Sequence, residues 1–234
     1  MINIQAIVRV VSVLLVMIGL LMWTGLPFSW AYGSQDGMAL FFSGLICVGS
    51  GSMAYLFRGK QRAQIRKREG YLIVALGWVF MVLFGTLPYW FSGVATSPVD
   101  ALFETISGMT TTGATILTDI EAQPEGILYW RSLTQWIGGM GIIVLTVAIF
   151  PLLGIGGIEL FVAEAPGPTS DKIHPRIRET AKRLWFIYVG LTGVLTLFIL
   201  IQGLSFYVAI NNAQTTMATR GVSTPKASMA AFGP

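Results

Sequence analysis

The 234 residues are 54% hydrophobic and only 11% charged, with a mean hydropathy of +0.70, whereas a soluble globular domain carries about 25% charged residues, so a lipid bilayer is the natural solvent for this chain. The net charge of +4 and pI near 9.4 do not signal nucleic acid, because the basic residues gather in short loops between apolar runs and not along a face that tracks phosphates. A single cysteine and a single histidine exclude a disulfide framework and a thiol-rich metal site within one chain.

The first apolar span runs roughly from Ile7 to Pro27. Arg9 stands near its start, but no small-residue cleavage site follows, so it is expected to be a retained helix. A short loop, Ser29 to Gly37, holds Asp36 and no Lys or Arg. The second span, Met38 to Phe57, contains Cys47, which reads as a small lipid-facing or packing residue. The next loop, Arg58 to Arg68, packs six positive charges into eleven residues, and the positive-inside rule places it in the cytoplasm. A third span, about Tyr71 to Phe91, leads outward. From Ser92 to Trp130 there is no Lys or Arg, but there are Asp100, Glu104, Asp119, Glu121 and Glu125, an acidic outer region expected to concentrate cations.

A fourth span, about Ser132 to Leu153, returns inward to a loop with Lys172, Arg176, Arg178, Lys182 and Arg183. The two basic loops agree on topology. A fifth span, about Leu184 to Leu204, leads out again, so the N-terminus is expected inside and the C-terminus outside. Both basic loops read as topogenic signals, with docking of a regulatory subunit as an additional role.

The stretch Pro98 to Thr115 offers about a dozen helix-compatible residues, then a threonine run and Gly113. Its helical part spans roughly 17 Å, about half a membrane, so it enters the bilayer without crossing it. Irregular backbone at that depth survives only where it is buried in protein or lines a watery cavity. A half-helix followed by Thr-Thr-Thr-Gly therefore predicts a pore loop, with the negative helix end aimed at the pore and backbone carbonyls replacing the water shell of a cation. A glycine meets the backbone angles that such a segment needs. Shifting the chain by 108 residues places Asn211–Thr224 on Phe103–Ile116, with Thr219 on Thr111, Gly221 on Gly113 and Ser223 on Thr115. Each copy follows an apolar span that rises from a basic loop, which makes this an internal duplication.

Four segments carry a family resemblance: Ser107–Thr115, Gln135–Ile143, Ala165–Pro168 and Glu179–Lys182. The chain resembles, over essentially its whole length, the N-terminal half of the bacterial Trk-type membrane subunit of the Trk/Ktr/HKT superfamily of potassium transporters. The resemblance implies an all-α polytopic membrane protein with two leading transmembrane helices and helix, pore-loop, helix repeats of the potassium-channel-like type, the second incomplete. It assigns residues 1–69 to the leading helices and basic cytoplasmic loop, 70–153 to the first unit, 154–183 to a cytoplasmic linker, and 184–234 to a second unit truncated after its pore loop.

The implied selectivity filter uses Thr110, Thr111, Thr112 and Gly113 in the first unit and Thr219, Arg220 and Gly221 in the second. Potassium would meet the backbone carbonyls of Thr111, Thr112, Thr219 and Arg220, as transported and bound ligand, with no other cofactor. The implied setting is the bacterial inner membrane, as a homodimer docked on a cytosolic nucleotide-binding regulatory subunit (TrkA-like), with no nucleic acid. Two departures stand out: family members have four units, which leaves this chain a partial sequence or a split subunit, and Arg220 stands where the pattern has a small residue. A non-conducting assembly or regulatory fragment is the alternative.

Gly138, Gly139 and Gly141 allow close helix approach, with a gating hinge as the sharper reading. Arg131 is expected to snorkel to the outer interface, or to pair with a nearby acid such as Glu125. Trp23, Trp30, Trp90 and Trp130 read as interfacial belt residues. His174, beside Pro175 in a basic loop, reads as solvent-exposed. An intramembrane protease has Ser43 or Ser107 as nucleophile but no histidine at membrane depth, so an enzyme is not expected.

Overall fold

The computed structural model describes residues 4–57, 67–120, 122–153 and 173–219, and within them the regular structure is all α-helix. α1 (Ile4–Trp23) carries Ile7, Val11, Leu15, Ile18 and Met22 at spacings of three and four, which puts them on one buried face. That face packs on α3 (Gly37–Leu56) and α4 (Lys67–Gly85), where Ile7, Val11 and Leu15 meet Leu72, Ile73 and Leu76. α1 and α3 approach closely at residues without side chains. A Cβ on Gly19 would stand 2.7 Å from the Gly44 carbonyl oxygen, and one on Gly51 would stand 2.8 Å from that of Ser12. Cys47 is fully buried, its Sγ 3.8 Å from the sulfur of Met22, so of its two expected roles it takes packing.

The first and third expected spans are each interrupted near their C-terminal ends. α1 stops at Trp23 and α2 (Leu26–Tyr32) follows; α4 stops at Gly85 and α5 (Leu87–Phe91) follows. Pro27 and Pro88 explain both breaks: without an amide hydrogen each fails to extend a helical ladder, yet fits the first turn of a new one. Among the described residues four helical stretches are long and apolar enough to cross a membrane: Ile4–Tyr32, Gly37–Leu56, Glu69–Phe91 and Glu179–Ile201. The chain is thus a multi-pass membrane protein. α7 (Glu125–Leu153), which contains the fourth expected span, has 29 residues and extends about 44 Å. α8 (Ile173–Ile201) begins inside the stretch expected as a cytoplasmic linker, so the backbone of His174 is helical where a loop was expected.

Asp36 ties the leading helices to α7. Its side chain is buried; Oδ1 accepts from the Ser29 hydroxyl at 2.6 Å and Oδ2 from the backbone N–H of Ile127 at 2.7 Å. A carboxylate thereby caps the positive end of α7 from a distant part of the chain. Removing it leaves buried donors unpaired, so Asp36→Ala is expected to cost about 1–3 kcal/mol and to lower the thermal midpoint in detergent, with Asp36→Asn intermediate. An unchanged midpoint for Asp36→Ala would deny the cap.

Candidate functional site

Two twelve-residue helices, α6 (Pro98–Met109) and α9 (Phe206–Met217), stand in the 108-residue register deduced from the sequence, end for end. Each is about 18 Å long, half a bilayer. Ser97 and Ser205 cap them in extended conformation, their hydroxyls accepting from the amides of Asp100 at 3.1 Å and Val208 at 3.4 Å. The exits match as well: the Thr111 amide donates to Gly108 O at 2.9 Å, and the Thr219 amide to Thr216 O at 2.9 Å.

Thr111 (φ 54°) and Thr219 (φ 62°) are the two non-glycine residues with positive φ among those described. A β-branched residue in the left-handed region is a genuine outlier that costs about 1–3 kcal/mol, and such strain clusters at functional sites. It recurs here at register-equivalent positions. Gly113 follows at φ 96°. The Thr110 hydroxyl is within 2.7 Å of both Ile106 O, to which it donates, and Thr112 Oγ1. Thr112 N–H donates to Ser107 O at 3.0 Å, and the Ser107 hydroxyl donates to Ala114 O at 2.5 Å. Ser107 thus serves the loop's shape. The amides of Thr110, Thr111 and Thr112 are consumed by the end of α6, whereas among the described residues no backbone amide donates to the carbonyls of Thr110, Thr111, Thr112 or Gly113. Arg220 and Gly221 lie outside the described residues, as do Glu121 and the Ala165–Pro168 motif.

Behind the first loop stands a pair that sequence reasoning did not assemble. Glu104, 2% exposed, accepts through Oε1 from the Thr115 hydroxyl at 2.5 Å and the Ile116 amide at 2.7 Å, while Oε2 lies 3.4 Å from Arg131 Nε. Arg131 is 5% exposed, so it does not snorkel to the interface; of its two expected roles it takes pairing with an acid, but the acid is Glu104 and not Glu125. The reason is the start of α7: at Glu125 it begins well ahead of the expected Ser132, which carries Arg131 to the depth of α6. Trp130 is corrected for the same reason. It is fully buried, and its indole donates to Gly85 O at 3.1 Å, while Trp30 and Trp90 are exposed. Glu104 therefore leaves the acidic outer region. Asp100 remains there, its carboxyl held below its usual range by the Thr96 hydroxyl at 2.7 Å and by Ser97. The missed signal was an acid inside an apolar half-helix with a base inside another apolar segment, a combination that marks intramembrane pairs.

α7 runs between the two loops. On one side a Cβ on Gly138 would collide with the Met109 carbonyl, one residue before Thr110. On the other, a Cβ on Gly139 would stand 3.3 Å from Ala218 Cα, one residue before Thr219. Trp136 and Tyr188 link α7 to α8, through Trp136 Nε1 donating to Thr192 Oγ1 at 3.0 Å and Tyr188 hydroxyl donating to Trp136 O at 3.1 Å. Close packing, not a break in the helix, is what the glycines provide. Gly138→Val is expected to cost about 1–3 kcal/mol and to displace the end of α6, seen as a lower thermal midpoint. Gly190→Ala, on open surface of α8, is the control and is expected to leave the midpoint unchanged or raised. Equal midpoints for Gly138→Val and the parent would contradict the contact.

The family model described as TrkH, cation transport protein, matches residues 36–234. The chain is 44% identical over 232 residues to the Trk system potassium uptake protein TrkH of Halomonas elongata, covering 98% of this chain and 48% of that protein. It is 42% identical over 231 residues to the protein of that name from Escherichia coli K12, covering 97% and 48%. The crystal structure of the potassium transporter TrkH from Vibrio parahaemolyticus superposes with a TM-score of 0.84 at 34% identity, over 100% of this chain and 47% of that one. The chain spans about half the length of the curated relatives it matches. Matched over most of its length by the family model and along its whole fold by a solved member, the chain belongs to the TrkH family of cation transport proteins.

Proposed function

We propose that this chain contributes the first two filter segments of a Trk-type potassium uptake system in the bacterial inner membrane. Thr110, Thr111, Thr112 and Gly113 form one segment, and Thr219, Arg220 and Gly221 the other. The observation that carries this reading is the duplicated, strained exit of a half-helix at Thr111 and Thr219, with free carbonyls after the first. Carbonyls that no amide occupies are the groups able to replace the hydration shell of a potassium ion. The relatives' names, as potassium uptake proteins, support the choice of ion. The N-terminus lies in the cytoplasm by the placement of the basic loops, which also offer the docking surface for a cytosolic nucleotide-binding regulatory subunit; the assembly is a homodimer.

Arg220 favours a second reading, a non-conducting assembly partner, because its side chain would repel the ion to be carried if it pointed into the pore. Potassium uptake in cells lacking their own uptake systems separates the two. The chain joined to the C-terminal half of a relative is expected to restore uptake. No uptake with the joined protein present in the membrane would favour the non-conducting reading.

A further inference from the structure

α1 and α3 leave between them a groove of about 570 Å³, lined by Val13, Val16, Met17 and Leu20 of α1 and by Tyr55 and Leu56 of α3. That volume falls within the roughly 300–1,000 Å³ of ligand pockets. The lining is almost wholly apolar, and the hydroxyl of Ser12 at its edge is turned to Val8 O at 2.6 Å. Val13, Met17 and Leu20 are exposed and lie on the face of α1 opposite Ile7, Val11 and Leu15, which pack on α4. Arg9 is exposed and stands four residues before Val13, seven before Val16 and eleven before Leu20, so the apolar stripe ends in a positive charge. In sequence, α3 runs from Leu56 directly into the most basic stretch of the chain, with Arg58, Lys60 and Arg62 within six residues.

We propose that this groove holds an acyl chain of an anionic phospholipid of the cytoplasmic leaflet, with its headgroup toward Arg9. The placement in that leaflet rests on the orientation proposed above. A long apolar slot with positive charge at its cytoplasmic end fits a tail and an acidic headgroup together, and basic residues beside transmembrane helices attract such headgroups. A packed helix from another copy would account for the slot and not for the charge.

Native mass spectrometry of the full chain in mild detergent, with added phosphatidylglycerol or phosphatidylcholine of the same acyl chains, tests this. Phosphatidylglycerol is expected to be retained preferentially. Arg9→Gln, at an exposed position that leaves packing intact, should reduce that preference about fivefold, the worth of one basic residue near an anionic surface. Met17→Trp should fill the slot and reduce retention of both lipids. Retention of phosphatidylglycerol unchanged by Arg9→Gln and Met17→Trp would overturn the proposal, as would efficient cross-linking of Met17→Cys chains to one another in native membranes, which would make the groove an interface between copies.

Discussion

Gly113→Asp is expected to abolish potassium uptake by the chain joined to a relative's C-terminal half. Two effects act together. At φ 96° an L side chain is strained by about 1–3 kcal/mol, so the backbone of the loop shifts and its carbonyls leave their positions. The added carboxylate also brings a fixed charge among groups whose neutral dipoles are balanced to bind an ion and release it. Gly113→Ala separates the two, since it keeps the backbone strain without the charge and is expected to lower uptake less. Wild-type uptake by Gly113→Asp, at matched amounts in the membrane, would remove Gly113 from the filter.

Glu104→Ala is the second variant with a large expected effect. It strands Arg131 as a buried unpaired charge and deletes both bonds that hold Thr115 and Ile116. Breaking a buried pair in this way costs about 3–5 kcal/mol. Glu104→Gln retains an acceptor for the Thr115 hydroxyl and the Ile116 amide while losing the charge, so it is expected to lie between the parent and Glu104→Ala. If the penalty is the stranded charge, Glu104→Gln combined with Arg131→Gln should recover part of the thermal midpoint lost in Glu104→Gln alone. Additive losses in that double-mutant cycle would show that the two side chains act independently.

The half-helices were legible because their signals are local and simple. Pro98 starts α6, the glycine and threonine run ends it, and twelve residues are too few to cross a bilayer. The duplication was legible from Thr219 and Gly221, although the second copy has Asn212 where the first has Glu104. The breaks before α2 and α5 were not read, because hydropathy runs continuously through Pro27 and Pro88, and only the missing amide hydrogen marks the interruption. Trp130 and Arg131 were misplaced together. Taking the charged Arg131 as a boundary sets the start of the fourth span just after it, at Ser132, but the cap from Asp36 and the pairing with Glu104 let α7 start earlier and bury polar groups. The positive φ of Thr111 had no sequence signal at all, since a β-branched residue prefers the opposite conformation, and tertiary contacts impose it.

The most direct test of a carbonyl-lined filter is anomalous diffraction from crystals of the joined protein grown in rubidium, a heavier stand-in for potassium. The expected result is a peak level with the carbonyls of Thr111 and Thr112, lost in Gly113→Asp. A filter region without a peak, with rubidium bound at side-chain carboxylates of the outer loop instead, would contradict the account.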